Sequence, residues 1–591
     1  MKKIIAFFPL ILLLLNSCTD VLDKQPLDII SDKVVWTDPV LIDAYLNQCY
    51  AEMGFFHEMP YGASQNWFDI DQSTTIADEA RFGWVPNPQS HWISVGGGVY
   101  EWWGYATVRR LNQFIEKIGT SSLPESVKIQ KISEARFLRA FAYFNMVKRY
   151  GGVPLITRAQ KLTDSESELY RSRDKEEVIY KYILDEMDSI VNKLPEVYSG
   201  NDLGRPTKYA VLSLKSRAAM YAGSVATWGT VQLNGLVGIP TTKAEDFWKA
   251  SYDASRSIIT SSKFSLFNKY TDKVKNYRNI FLEENNSEVI FSEIFDGVSG
   301  KGHSWDMWQN PFSYNVWAGG QQASVYLEMV ESYENIDGTS GVIDRSKLAS
   351  GYWWTLDELW GKKDPRFRAS VYTHGTAWAP AGILDYHDAI ETPDGSKWLD
   401  IGSYNGVLCR SRSYGRPTPF GVLKYLDESK GIIPERLYST TDYIVFRLGE
   451  IYLNYAEAAF ELNKTGDALW AVNEIRKRAG MPQLTTITRE KIRHERKIEM
   501  AFEGNRYFDV RRWRTAVNDL TKSFSGLRII LQGSSLNANT YNVMTQKFKL
   551  YLVTDVTGIP MPYFDQKHYY LPISSGRTSN NPNLIENPGY Q

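Results

Sequence analysis

Residues 134–156 read EARFLRAFAYFNMVKRYGGVPLI. Apolar positions recur every three to four residues, the spacing that gathers them on one face of a helix. Lys148 and Arg149 fall in the closing turn, where cations answer the partial negative charge of a helix C-terminus. Gly151-Gly152 then stop the helix, and Pro154 prevents it from resuming. The stretch predicts a helix over 128–149 with a sharp exit, and the same period extends outward in both directions.

Toward the N-terminus, Asp38-Pro39 reads as an N-cap followed by proline at the first helical position, with a helix on to about residue 53. Residues 100–118 carry Val108, Leu111, Phe114, Ile115 and Ile118 on one face. Toward the C-terminus, further helices are expected at 174–194, 207–228 and 245–261. From 265 to 440 the pattern changes: short β-like pieces such as SEVIFSEIF (287–295) alternate with long polar stretches rich in glycine and tryptophan. Loops of that length are usually functional or disordered, and their aromatic content argues against disorder. Helix returns over 442–463, turns at Lys464-Thr465-Gly466 and continues over 467–479. Ala456, Ala458 and Ala459 allow the two helices to approach closely. This hairpin has tetratricopeptide character, including Leu448-Gly449-x-x-Tyr452, at a spacing longer than the standard repeat. Residues 515–591 read as an irregular tail.

Composition narrows the function classes. The 591 residues include 67 basic and 68 acidic side chains, with no long block of either sign. That excludes the basic stripe of a nucleic-acid binder and a polybasic membrane patch. Of the three cysteines, Cys49 and Cys409 read as small buried hydrophobes rather than a bridge, so the fold must rest on an apolar core. Met1-Lys2-Lys3 and the apolar run 4–15 form the charged and hydrophobic parts of an export signal; a membrane-spanning helix needs roughly 20 apolar residues.

Two acidic groupings invite chemical readings. Glu495, Glu499 and Glu503 share one helical face at i, i+4, i+8, as a glycosidase acid and nucleophile could. Arg493, Arg496, Arg506, Arg511 and Arg512 are interleaved with them, and arginine holds carboxylates ionised, the opposite of what a general acid requires. An ion-pair network is the favoured reading. The segment NWFDIDQSTTIADEARFGW (66–84) offers Asp71, Asp78 and Arg81 as polar partners for sugar hydroxyls, or oxygen ligands for Ca²⁺ without an EF-hand spacing; it also fits a plain solvated loop. No zinc-protease, Cys-x-x-Cys, phosphate-loop, dinucleotide or Gly-x-Ser-x-Gly signature occurs, so no cofactor is implied.

Aromatic residues make up 14% of the chain, with 18 Trp and 36 Tyr. Trp84, Trp92, Trp305, Trp308 and Trp317 fall beside Gly, Asn, Pro and Ser in expected loops, where bare indoles in water are a liability unless something covers them. A pyranose suits them, its C–H face packing on the ring while its hydroxyls meet nearby polar groups. Packing against the protein's own loops is the alternative.

Together these stretches resemble the SusD/RagB family of Bacteroidetes cell-surface lipoproteins. The resemblance runs from VLDKQPLDIISDKVVWTDPVLIDAYLNQCY (21–50) through the stretch quoted first, LGRPTKYAVLSLKSRAAMYA (203–222), KKDPRF (362–367), YIVFRLGEIYLNYAEAAFEL (443–462), VNEIRKRAGMP (472–482) and ERKIEMAFEGNRYFDVRRW (495–513) to LPISSGRTSNNPNLIENPGY (571–590). It implies a mostly α fold, with tetratricopeptide-like hairpins in a right-handed superhelical scaffold, few short strands and a loop-rich ligand-binding region. It also implies a non-enzymatic glycan-binding protein on the outer face of the outer membrane, acting as a lid for a SusC-like TonB-dependent transporter. A peptide-binding lid and a surface glycoside hydrolase are the alternatives.

The expected organisation is a signal peptide over 1–17, a lipidated tether over 18–38, a helical part over 39–264, a Trp-rich loop part over 265–440, and hairpins with an irregular tail over 441–591. The last three form one unit. LNSC (15–18) resembles a lipobox, with Cys18 as the acylated mature N-terminus. An ordinary signal peptide with a chance cysteine is the competing reading of those four residues alone.

Overall fold

A computed structural model describes residues 32–53, 55, 74–82, 93–94, 97–98, 101–296, 302–311, 320–379, 382–392, 394–395, 398–400, 418–430, 438–533, 542–556 and 563–590. Its principal helices are α1 (Pro39–Glu52), α2 (Tyr105–Lys117), α3 (Glu125–Tyr150), α4 (Glu176–Ile190), α5 (Lys208–Trp228), α6 (Ala244–Thr260), α7 (Lys273–Leu282), α8 (Trp305–Gln309), α9 (Leu448–Glu461), α10 (Thr465–Ala479), α11 (Arg489–Glu499) and α12 (Arg506–Arg512). Antiparallel neighbours pack as hairpins, α2 on α3, α3 on α4, α5 on α6 and α9 on α10, and α6 packs on α9 to join the last two pairs. This is the mostly helical, hairpin-built architecture that the family resemblance implied.

The quoted stretch forms the second half of α3, and from Ser133 onward nearly every residue is buried. Each enclosed Phe, Leu or Met there contributes about 1.5–3 kcal/mol of hydrophobic stabilisation. Several of its buried polar residues are partnered, although Asn145 Nδ2 meets no acceptor among the described residues. Arg139 donates to Asn112 Oδ1 at 2.7 Å and to the Thr157 carbonyl at 3.0 Å. Glu134 accepts from Arg205 at 2.9 Å and from the Tyr50 hydroxyl at 3.0 Å.

The helix exit explains its glycine pair. Gly151 caps the helix at φ 75°, and a Cβ on Gly152 would lie 1.9 Å from the Asp174 carbonyl oxygen. Arg173 closes the exit by donating to the carbonyls of Gly152 at 2.7 Å and Tyr150 at 2.8 Å. Asn587, near the C-terminus, accepts from the same guanidinium at 2.9 Å and donates to the carbonyls of Tyr150 and Leu571 at 3.0 and 2.7 Å.

Strands are short: β1 (Ala80–Phe82), β2 (Val289–Glu293), β3 (Ala323–Val325), β4 (Val371–Tyr372), β5 (Ala389–Glu391), β6 (Trp398–Asp400), β7 (Gly421–Val422), β8 (Tyr443–Arg447), β9 (Gly526–Gln532) and β10 (Phe548–Val553). They build two four-stranded sheets, ordered β1-β3-β7-β4 and β6-β5-β9-β10, and a β8-β2 pair.

Three expectations change here. The helix expected over 442–463 begins as strand β8, because 443–447 finds an antiparallel partner in 289–293. The tail from 515 is not uniformly irregular: β9 and β10 pair antiparallel over Gly526–Leu531, and β9 lies parallel to β5. Glu503 does not continue the helix of Glu495 and Glu499, since α11 ends at Glu499 and Phe502 has φ 60°. Cys49 is a free thiol in the core, pushed up to about 12 by burial; Cys409 lies outside the described residues.

Candidate functional site

Of the eight residues expected to contact ligand, Asp71, Trp84, Trp92 and Trp317 lie outside the described residues, as does Cys18. The other four, Asp78, Arg81, Trp305 and Trp308, gather around the sheet that holds β1 and β3. Ala80, Arg81 and Phe82 pair with Val325, Ser324 and Ala323, and the Gln322 N–H donates to the Trp308 carbonyl at 2.9 Å. The fold therefore brings Arg81 and Trp308 to neighbouring positions along one strand, although more than two hundred residues separate them in sequence.

The four differ in what their side chains do. Trp305 is not in an exposed loop but on α8, 1% exposed, with its indole N–H donating to the Lys424 carbonyl at 3.0 Å. Its ring belongs to the core. Trp308, one turn later, is 9% exposed and packs with Met307 in a small cluster apart from that core.

Asp78 is spoken for by Arg506, at 2.7 and 2.8 Å, and by Lys497 at 3.0 Å. Burial would raise its pKa, but the two cations outweigh it and hold the carboxyl far below the usual range. Arg81 is half-buried and gives one N–H to the Val556 carbonyl at 2.6 Å, while its Nε is enclosed with no acceptor among the described residues.

The segments next to Trp308 and opposite β1 carry buried amides that the sequence reading did not single out. The Ala323 N–H donates to Gln309 Oε1 at 3.1 Å, while Gln309 Nε2 is buried with no acceptor among the described residues. Asn310 is held through its backbone by Asp306 and Gln321, and its Oδ1 meets no donor among them. Gln321 is fully used: it donates to the carbonyls of Thr418 and Phe420 and accepts from Tyr386. Ser324 Oγ, opposite Arg81, is likewise unsatisfied. Buried polar atoms almost always find partners, so three orphaned atoms on short neighbouring segments mark this part of the interior as one that a hydroxyl-rich ligand could complete. The available signal was the spelling of two short runs, Trp308-Gln309-Asn310-Pro311 and Gly319-Gly320-Gln321-Gln322, which set amides directly beside an indole.

The carboxylates read as a possible acid–nucleophile pair are ion-paired in the interior. Arg366 donates to Glu495 at 2.6 Å and to Glu499 at 3.1 Å. Arg447 reaches Glu288 at 2.8 Å, Glu499 at 2.7 Å and Glu503 at 2.7 Å. Lys424 meets Glu503 at 2.9 Å, and Arg478 meets Glu288 at 2.9 Å. Burial pushes Glu499 and Glu503 up, but the surrounding cations hold both below the carboxylate range.

Gly449 makes this packing possible. A Cβ there would fall 2.2 Å from the Arg447 guanidinium and 2.8 Å from Glu288, so the glycine of the tetratricopeptide-like Leu-Gly pair is required by the ion network. Glu79 is the opposite case. Burial pushes its carboxyl up to about 8, and the Phe502 N–H donates to it at 2.9 Å. A raised carboxyl suits a general acid, but Glu79 is 1% exposed. Among the described residues, no group of three or more His, Cys, Asp or Glu side chains is placed to hold a metal ion.

Comparison with known proteins fits this geometry. A sequence model of the SusD family matches residues 287–590, more than half of the chain. The chain belongs to the SusD family. A second model, described as "Starch-binding associating with outer membrane", matches residues 22–220.

The chain is 23% identical over 518 residues to a SusD-like protein of Bacteroides ovatus, covering 85% of this chain and 80% of the relative. It is 24% identical over 471 residues to the starch-binding protein SusD of Bacteroides thetaiotaomicron, covering 75% and 73%. The crystal structure of a SusD-like protein from Bacteroides fragilis aligns with a TM-score of 0.72 at 25% identity, over 96% of this chain and all of its own. Among the described residues, no helix is long and apolar enough to cross a membrane.

Proposed function

We propose that the chain captures oligo- or polysaccharide at the outer membrane, anchored through acylated Cys18, and serves as a lid for a SusC-like TonB-dependent transporter. The observation that carries the sugar reading is the amide layer. Gln309 Nε2, Asn310 Oδ1 and Ser324 Oγ have no partner among the described residues, on the segments that carry Trp308 and pair with Arg81. All three residues are enclosed, so a sugar meets them only when this layer opens; its hydroxyls can then both donate and accept while its C–H face packs on the indole. Two comparisons add support: a relative is named for starch binding, and a matching sequence model is described by starch binding at the outer membrane.

The reading is binding and not hydrolysis, because Glu495, Glu499 and Glu503 are committed to arginines and lysine. Trp84, Trp92, Trp317 and Asp71 are proposed to line the same site. Asp78 is proposed to act through Arg506 and Lys497, fixing the turn that presents Arg81. Trp305 is proposed to support α8 from beneath.

Affinity electrophoresis against a polysaccharide panel tests the site. Trp308→Ala and Gln309→Ala should each weaken retention by a glycan that the unaltered protein binds; retention unchanged in both would place the site elsewhere. Reducing ends released from any of those glycans would overturn the binding-only reading. Cys18→Ala should move the protein from the membrane fraction to the soluble fraction with glycan retention intact.

A further inference from the structure

A second cleft, of about 490 Å³, opens between α2, the segment 154–171 and the C-terminal residues 577–584. Its volume lies within the range of small-ligand sites, and none of its lining residues belongs to α8 or to the sheet holding Arg81. Trp103, Tyr105 and Ile156 form part of the wall, and four arginines line it, Arg109, Arg158, Arg171 and Arg577, with no carboxylate among the lining residues.

The cations differ in how far they are answered. Arg158 is paired with Asp164 at 2.7 Å and with Glu168 at 3.1 Å, and Arg577 is paired with Glu101. Arg171 shares Glu168 at 3.4 Å, and its Nε is buried without an acceptor. Arg109 donates to the Gln160 carbonyl at 2.7 Å and makes no ion pair among the described residues. Arg577 lies 4.7 Å over the Trp103 ring, and burial draws its pKa down to about 10 against the opposing pull of Glu586.

The remaining polar lining is Gln160, Asn580 and Asn581, of which Gln160 and Asn581 already donate to the carbonyls of Glu168 and Arg171. Backbone carbonyls along the walls are already taken. Those of Ile156 and Arg158 accept from Asn112, and those of Tyr170 and Arg171 accept from Asn583 and Asn581. An extended peptide, which binds by adding strand-like backbone bonds, finds no free ladder there. A ligand rich in acceptors with an apolar ring face does fit.

We propose that this cleft is a second carbohydrate site, selective for acidic saccharides whose carboxylate or sulfate ester groups pair with Arg109 and Arg171. It rests on the glycan reading above and adds a class of sugar and a place for it. Planar guanidinium forks suit both oxyanions. Salt weakens exposed pairs of this kind, so retention falls as ionic strength rises.

The test is calorimetric titration of the full chain with three oligosaccharide probes: oligogalacturonate, a sulfated galactan oligomer and a neutral malto-oligosaccharide. Arg109→Gln and Trp308→Ala are titrated beside the unaltered protein. The expected result is binding of an acidic probe that Arg109→Gln weakens about ten- to hundredfold and Trp308→Ala leaves unchanged. The carboxylated and sulfated arms say which oxyanion is preferred.

Acidic binding insensitive to Arg109→Gln, or neutral binding with none to either acidic probe, overturns this inference and leaves the glycan reading standing. Displacement of a bound acidic probe by an acidic peptide at equal concentration overturns the saccharide assignment. Failure of every glycan, including the polysaccharide panel, overturns both readings.

Discussion

The interior around α11 and the interior around α8 both bury many polar groups, and they treat them in opposite ways. Near α11, Arg366, Arg447, Arg478 and Lys424 interlock with Asp364, Glu288, Glu495, Glu499 and Glu503, and the carboxylates are shared among several cations. Near α8, Gln309, Asn310 and Ser324 keep atoms with no partner among the described residues. Near α11 the exceptions are single guanidinium nitrogens, such as Arg478 Nε, on side chains that are otherwise ion-paired. A network whose charges are answered holds distant segments in one arrangement, whereas amide atoms left open are costly unless a ligand completes them.

The sharpest way to break the contrast is to damage the scaffold. Arg447→Met removes the cation shared by Glu288, Glu499 and Glu503 and strands their charges. It should cost about 3–5 kcal/mol in urea unfolding; a loss below about 1 kcal/mol would mean that the network contributes little.

The two tryptophans of α8 sharpen the contrast. Trp305→Ala leaves a core cavity and should cost about 3–5 kcal/mol of stability. Trp308→Ala should cost far less stability and act on glycan retention, about tenfold, which corresponds to roughly 1.4 kcal/mol. Equal melting losses for the two variants would erase the distinction.

Glu79 gives a prediction in pH. Its folded pKa is raised from 4.5 to about 8, so between those values the native state holds a proton that the unfolded chain releases. Stability therefore falls as pH rises through that window, and below it both states are protonated with no penalty. Glu79→Gln should flatten this loss, by on the order of a few kcal/mol at pH 8 relative to pH 5; urea midpoints of both proteins at the two pH values check it. The smallest effect is expected from Arg81→Gln, a few-fold loss of glycan retention and a drop of a few degrees at most in melting temperature, since one part-buried hydrogen bond is worth about 0.5–1.5 kcal/mol.

Local signals made the helices legible. Asp38 caps α1 by accepting from the Val40 N–H, Thr207 caps α5, and Gly480 ends α10 in the left-handed region. Each is written within a few residues of the helix that it bounds. What escaped was set from far away. Residues 443–447 carry the same apolar run as the helix that follows, and only pairing with 289–293 makes them a strand. Strand β9 depends on partners in β5 and β10, one of them well over a hundred residues distant.

The ion network was legible from the alternation of Glu and Arg over 493–512, though not its reach to Glu288, Asp364 and Arg366. The site was legible as a residue type in a region. Trp305 and Trp308 stand one turn apart on α8, so their spacing alone does not say which of them joins the main core. The orphaned amides were invisible because satisfaction is a property of neighbours.

The clasp at the exit of α3 has a consequence for how distant parts of the molecule hold together. Asn587 bonds to Tyr150, Leu571 and Arg173, so the longest helix is sealed by a residue 437 positions further along the chain. Without Asn587 the Leu571 carbonyl loses its bond, and the Tyr150 carbonyl and Arg173 keep those they make with each other and with Gly152 and Ile585. The exit of α3 and the C-terminal segment are thereby made to stand or fall together.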